Sequence, residues 1–328
     1  MHLIYHVDDI IFSFSDDSVA SNFKTALLTR FEGTDDGLVT RYVGLDIAQN
    51  DDVTHITQEP LVRELLEKFD MSSCTPVLTP MEPGTHLLDS DRPLTPDPIL
   101  RHKYQEITGT LQYLVTSTRP NLAYAASQLA KYMSNPGPVH MAAAKRVLRY
   151  LKGTAHLGLT YSKDSATPNT LLAYADADWA ACVDTRRSYS GYVIMLNGAA
   201  IGWKTQQQKS VATSTTEAEF VSASKCSDDV LWFRRVLSDA GAPQREPTLL
   251  KEDNRACRLL SENPIQSRSR HIDLRVMSLR ERVADGTIRV VDCPTHDMVA
   301  DPLTKNLPSP AFLRHRATQL GTRNADGV

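Results

Sequence analysis

Cysteine is sparse in this 328-residue chain: Cys74, Cys182, Cys226, Cys257 and Cys293 are scattered and form no CxxC pair. That spacing excludes a disulfide framework and the common structural zinc sites, and fits a reduced intracellular protein. No run of about 18 apolar residues occurs, so neither a transmembrane helix nor a membrane partner is expected. The opening Met1-His2-Leu3-Ile4-Tyr5 lacks the basic segment, apolar segment and small-residue cleavage site of a secretory signal, so secretion is not expected. Acid is scarce in one stretch only. Residues 100–165 carry 9 Lys and Arg against 2 acids, while residues 1–99 carry 6 against 18 and residues 166–328 carry 21 against 19. A net charge of −3 therefore conceals a basic block. Such a block suits a phosphate backbone, whose neutralisation releases counterions; basic side chains that merely solvate helix faces are the plain alternative.

The chain opens with β-branched and aromatic residues around Asp8-Asp9, a pattern for a β-hairpin with the two acids at or near its turn. An acidic helix near 17–31, a strand over Arg41–Gln49 and a helix over Pro60–Phe69 with Leu61, Leu65 and Leu66 inward follow. Six prolines between 75 and 98 mark an extended linker. Helices are expected near 100–116, 121–134 and 138–152. The last turns Ala142, Ala143, Val147, Leu148 and Leu151 inward and sets Lys145, Arg146, Arg149 and Lys152 on the other faces, as candidate nucleic-acid contacts. From residue 166 strands dominate: Leu171–Ala175, Ser188–Leu196 and Ala199–Lys204, the last two joined by Asn197-Gly198, a strong two-residue turn signal. A helix from Thr215 to Ala240, a strand over Pro247–Lys251, helices over Asn254–Glu262 and Ile272–Ala284, a strand over Thr287–Asp292 and a helix near 297–305 complete the pattern. Hairpin strands followed by α/β alternation imply one mixed sheet carrying helices.

Four acids fall where such a sheet could gather them. Asp176 and Asp253 end strands, Glu219 lies in the first turns of the long helix, and Asp301 opens the final helix. Hard oxygen ligands suit Mg²⁺, with Mn²⁺ as an alternative. Carboxylates around two such ions support in-line attack of water on a phosphodiester. Clustered carboxylates repel one another, which is itself a reason to expect cations. Ser214-Thr215-Thr216-Glu217 matches a capping box, which gives Glu217 a structural task and leaves Glu219 as the ligand. Asp176 and Asp178 share a face if the strand continues, and spacing does not separate them.

At these residues the sequence resembles the reverse transcriptase–RNase H portion of copia-type LTR retrotransposon polyproteins, from His6 to about Leu307. The matching strings are Ala175-Asp176-Ala177-Asp178-Trp179-Ala180, Ser188-Tyr189-Ser190-Gly191-Tyr192, Ser214-Thr215-Thr216-Glu217-Ala218-Glu219-Phe220, Arg270-His271-Ile272-Asp273 and Ala300-Asp301-Pro302-Leu303-Thr304-Lys305. The resemblance implies an α/β (α+β) fold: an RNase H-like mixed five-stranded sheet with helices, preceded by a truncated reverse transcriptase palm and a helical thumb and connection. It implies a two-metal site at Asp176, Glu219, Asp253 and Asp301 that hydrolyses the RNA strand of RNA–DNA hybrids. His296 stands where related nucleases carry a histidine that assists product release; a plain surface histidine is the alternative. Two departures stand out. Ser267–Ile272 runs one residue shorter than the family's stretch, and Glu252 replaces an apolar or Cys position, its side chain expected to point away from the metals.

His6-Val7-Asp8-Asp9 resembles the Tyr-x-Asp-Asp hairpin of reverse transcriptases, which makes Asp8 and Asp9 ligands of a remnant polymerase metal site. Tyr42–Asp46, Arg119-Pro120-Asn121 and Arg149-Tyr150-Leu151-Lys152-Gly153-Thr154 match palm, thumb and connection segments. The expected division is 1–74 palm and thumb remnant, 75–165 linker and basic connection, 166–307 RNase H-like domain and 308–328 disordered tail. Expected partners are an RNA–DNA hybrid and the rest of a polyprotein, in the cytoplasm or a virus-like particle. A catalytically silent nucleic-acid-binding remnant is one alternative. A polymerase part needing a complementary fragment is another.

Overall fold

The computed structural model describes residues 2–14, 16–163, 165, 167–262 and 273–322. Strands β1 (His2–His6) and β2 (Asp9–Ser13) form an antiparallel hairpin that turns at Val7-Asp8, with His6 opposite Asp9. Helix α1 (Asp17–Arg30) follows, its first turn capped by Asp16, whose carboxylate accepts the Ser18 amide at 2.8 Å. Phe12, Phe14 and Phe23 meet in a small aromatic cluster, but α1 buries no residue.

The single strand expected over Arg41–Gln49 is two: β3 (Arg41–Tyr42) and β4 (Leu45–Gln49), folded back on each other. Val43 and Gly44, at φ 46° and 73°, make the turn; a positive φ at two successive residues is what a tight hairpin needs. Strand β5 (Val53–Thr57) and helix α2 (Glu59–Lys68) come next, the helix burying Val62, Leu65 and Leu66 while the expected Leu61 packs half-buried against the same core.

Helices α3 (Pro98–Ser117), α4 (Ala123–Ala130) and α5 (Pro138–Gly153) form the basic block. On α5 the buried residues include Ala144, Val147, Leu148 and Leu151, while Ala142 is exposed. Two strings separated by about thirty residues meet here. Buried Arg119 donates to the Thr154 carbonyl at 3.0 Å and its hydroxyl at 2.9 Å, and Asn121 donates to the Tyr150 hydroxyl at 2.7 Å. Strand β6 (Leu159–Ser162) then pairs with β5, Val53 opposite Ser162, closing the four-stranded antiparallel sheet β3-β4-β5-β6. Residues on both sides of position 74 thus share one sheet, so the division expected there does not separate two folding units. Hydrophobic burial outweighs the sequence distance that such pairing must close.

The C-terminal half holds β7 (Leu172–Asp178), β8 (Tyr189–Leu196), β9 (Ala199–Gln207), α6 (Thr215–Asp239), β10 (Thr248–Glu252), α7 (Arg255–Glu262), α8 (Asp273–Ala284) and β11 (Ile288–Asp292). The sheet order is β11-β10-β7-β8-β9, with β7, β10 and β11 parallel and β7-β8-β9 antiparallel. This is the mixed five-stranded sheet expected of the chain. Asn197 and Gly198, at φ 51° and 92°, turn the β8–β9 hairpin as expected. The expected helix near 297–305 is instead two 3₁₀ turns, Thr295–Asp297 and Asp301–Leu303, with Pro302 at the start of the second. Ser267–Ile272, with the Arg270-His271-Ile272 string, lies outside the described residues.

Strand alternation distributes the two cores. Tyr192 and Ile194 of β8 face a cluster with Ala173, Ala175, Phe220, Ala223, Val230, Leu250 and Val290. Val193 and Met195 face the opposite cluster, which runs through the helical block to Phe312 and Leu320. Those last two belong to α9 (Ser309–Leu320), where a disordered tail was expected. Its composition is polar, but it buries Phe312, His315, Arg316, Gln319 and Leu320, and the buried Gln319 side chain donates to the Val299 carbonyl at 2.9 Å. Supplying partners to buried polar groups is what allows so polar a segment to pack.

Gly191 fixes how closely the Asp301–Leu303 turn approaches the sheet. It lies opposite Asp176, and a Cβ there would come within 2.7 Å of Thr304 Cγ2 and 2.8 Å of Leu303 Cβ. Gly191→Ala is therefore expected to cost about 1–3 kcal/mol, the usual range for overpacking, read as a lowered urea midpoint; an unchanged midpoint would show that the turn yields freely.

Candidate metal centre

Parallel pairing puts the C-terminal ends of β7 and β10 on one edge of the sheet, the edge where open α/β sheets usually bind ligands. Asp176 lies near the end of β7, Asp253 directly follows β10, and Glu219 comes from the second turn of α6. One carboxylate oxygen from each of Asp176, Glu219 and Asp253 lies within 4.8 Å of the other two. Asp176 and Glu219 are only 3% and 6% exposed, and the Glu219 Oε2 has no hydrogen-bond partner. The start of α6 also sorts its two glutamates. Ser214 Oγ accepts the Glu217 amide at 3.2 Å, while the Glu217 carboxylate accepts the Thr213 amide and hydroxyl, both at 2.7 Å. Its return contact thus reaches one residue further back than the capping-box pattern implies, but Glu217 is still engaged locally.

Asp301 stands beside this trio without joining it. Lys305, one helical step further on, sets its Nζ 2.8 Å from Asp301 Oδ1 and 3.7 Å from Asp176 Oδ2. The Thr304 hydroxyl also donates to Asp176 Oδ2. Asp178 shares the Asp176 face through strand alternation. Burial raises its carboxyl, Lys305 opposes that rise and Asp176 adds to it.

Glu252 corrects the expectation that it points away. It is the last residue of β10, it is 1% exposed, and its Oε1 accepts the Asn254 amide at 3.0 Å. Inward positions on this strand are Thr248, Leu250 and Glu252, so the alternation that leaves Asp253 beyond the strand end turns Glu252 inward. Burial, then the charges of Asp253 and Asp176, raise it to about 8. Glu219 is raised by burial, then by Glu252 and Asp176. Asp253 is raised by burial and Asp176. Asp301 is raised to about 7 by burial and Asp176, against the pull of Lys305. Sequence reasoning gave no role to Lys305 or Thr304; the four-residue step from Asp301 to Lys305 was the available signal.

The other expected site residues lie apart from one another in character. Asp8 and Asp9 are exposed at the hairpin turn, and among the described residues no third Asp, Glu, His or Cys forms a metal-sized group with them. Lys145 and Lys152 are exposed, but Arg146 pairs with Glu82 at 2.7 Å and Arg149 donates to the Thr75 carbonyl at 2.8 Å. Those two arginines tie down the proline-rich segment. His296 is exposed, next to Thr295, whose hydroxyl donates to Asp253 Oδ2 at 3.2 Å.

The donor set fits a hard divalent cation: oxygen ligands only, mutually close, one of them buried and unpartnered. Because Asp301, Glu252, Asp253 and Glu219 titrate above their ordinary values when folded, folding favours their protonated forms. Their contribution is full at low pH and is lost as pH rises through the folded values. In chelator the melting temperature is expected to fall from about pH 5 to about pH 8, and added Mg²⁺ or Mn²⁺ to restore more at the higher pH. A metal-free protein that became more stable over this range would contradict the carboxylate assignment.

The family described as "Reverse transcriptase (RNA-dependent DNA polymerase)" matches residues 2–83. The chain is 35% identical over 323 residues to the retrovirus-related Pol polyprotein from transposon RE1 of Arabidopsis thaliana, covering 98% of this chain and 22% of that protein. It is 31% identical over 315 residues to the Pol polyprotein from transposon TNT 1-94 of Nicotiana tabacum, covering 94% and 24%. The chain thus spans about a quarter or less of these relatives' length. Among solved structures, it is similar to LC11-RNase H1 in complex with an RNA/DNA hybrid, at 13% identity and a TM-score of 0.33, over 41% of this chain and 94% of that one.

Proposed function

The chain belongs to the copia-type retrotransposon Pol polyproteins, and on that premise we propose that its C-terminal half hydrolyses the RNA strand of RNA–DNA hybrids. The observation that carries the reading is the carboxylate trio at the parallel strand ends and the start of α6, within 4.8 Å, with Asp176 and Glu219 buried and Glu219 Oε2 unpartnered. Asp176, Glu219 and Asp253 would hold one divalent cation, and Asp301 with Asp176 would hold a second; Mg²⁺ is the expected ion. Bound there, such ions activate a water and stabilise the leaving oxygen of an in-line displacement.

The protein's own part is to aim and to exclude. Strand ends fix Asp176 and Asp253, and α6 brings Glu219 in from a different element. Convergence of three elements makes the carboxylate positions rigid, which positioning catalysis requires. Thr304 holds Asp176 Oδ2, and Thr295 holds Asp253 Oδ2; hydrogen bonds of this kind orient carboxylate ligands. His296, exposed beside Thr295, is the candidate for assisting product release. Exposed Lys145 and Lys152 serve as phosphate contacts, an electrostatic and sequence-independent role. Asp8 and Asp9 take the part of the paired aspartates of a reverse transcriptase hairpin, within a larger assembly. No helix among the described residues is long and apolar enough to cross a membrane.

Incubating the protein with a labelled RNA–DNA hybrid and Mg²⁺ should release RNA fragments and leave the DNA strand whole. Asp176→Asn should lower the rate by more than the roughly 10–100-fold that loss of an outer-shell partner costs. Hybrid binding without turnover, or equal turnover by the variant, would overturn the reading.

A further inference from the structure

Lys305 has a place that the trio does not explain. Its ammonium sits between two buried acids, 2.8 Å from Asp301 Oδ1 and 3.7 Å from Asp176 Oδ2. The backbone that carries it is held tightly. The Lys305 amide and the Thr304 hydroxyl both donate to the Asp301 carbonyl, at 3.1 Å and 3.0 Å, and the turn packs against Gly191. The side chain nevertheless remains 34% exposed, which leaves the ammonium a route into solvent. Asp176 is the residue common to both surroundings, the trio on one hand and the Lys305 pair on the other.

We propose that the Lys305 ammonium is a built-in counter-cation seated between Asp176 and Asp301. A first divalent ion binds at Asp176, Glu219 and Asp253 with Lys305 in place, whereas a second ion at Asp176 and Asp301 has to displace it. The proposal rests on the metal-site reading above. Its physical basis is competition: two cations cannot both occupy the space between the same two carboxylates, and a ligand that already has a partner binds a newcomer more weakly by the cost of releasing that partner. Lys305 thereby sets the order and the concentration dependence of ion loading, and it keeps Asp176 and Asp301 from facing each other unpaired when ions are scarce.

Mn²⁺ titration of the chain, with free ion counted by electron paramagnetic resonance, tests this without measuring turnover. The wild type is expected to take one ion tightly and a second weakly. In Lys305→Met the second should tighten by at least about tenfold and the first should change by less than about threefold. A second affinity that is unchanged or weaker in Lys305→Met, with the first ion still bound, overturns the role of Lys305 and leaves the metal site standing. Absence of Mn²⁺ binding in the wild type, matched by Asp176→Asn, overturns the metal site and this proposal together. Should Lys305→Met fail to fold, Lys305→Gln serves the same titration, and acylation of Lys305 in the wild type gives an independent reading. Its labelling should rise as the second ion loads, and labelling that stays flat across that range overturns the proposal.

Discussion

Carboxylates removed from water and set within a few ångströms of one another repel, and much of the C-terminal half bears on that repulsion. Asp176, Glu219 and Asp253 converge within 4.8 Å, buried Glu252 adds its charge to the field at Glu219, and Asp301 stands alongside. Left bare, such an arrangement would favour the unfolded chain, in which each acid is hydrated. The protein offsets part of the cost with the Lys305 ammonium, the Thr304 and Thr295 hydroxyls and the Asn254 amide. What is not offset shows in the carboxyls of Glu219, Glu252, Asp253 and Asp301, which burial and their acidic neighbours raise above the ordinary range.

The scaffold is arranged to hold that unfavourable cluster. Two cores on opposite faces of one mixed sheet clamp β7 and β8, so the strand ends cannot drift apart to relieve the repulsion. Gly191 lets the Asp301–Leu303 turn lie directly on the sheet opposite Asp176, and α9 closes that side with Phe312 and Leu320. The N-terminal hairpin differs in kind: Asp8 and Asp9 are exposed and impose no such cost.

Much of this was legible in residue order because it is local. Asn197-Gly198 announces a tight turn through its backbone preferences, and Ser214 announces the start of α6 through its cap. The choice of Glu219 over Glu217 also followed from local chemistry. What was hidden depends on partners distant in sequence. Nothing near Leu159 says that it will pair with Ile56, and the polar run of α9 does not announce that its Arg316 and Gln319 will be buried against Tyr150 and the Val299 carbonyl. Glu252 was misjudged because a single strand-end step decides which of two adjacent acids turns inward. Arg146 and Arg149 read as free positive charge, whereas Glu82 and Thr75 engage them from within the proline-rich segment.

On the reading proposed above, Asp176, Glu219 and Asp253 together bind a divalent cation. Anomalous diffraction from crystals grown with Mn²⁺ addresses it most directly. A strong anomalous peak is expected, bounded by those three carboxylates and with Glu219 Oε2 among its ligands. A peak elsewhere, or none at these residues while all three carboxylates stay in place, would contradict that reading.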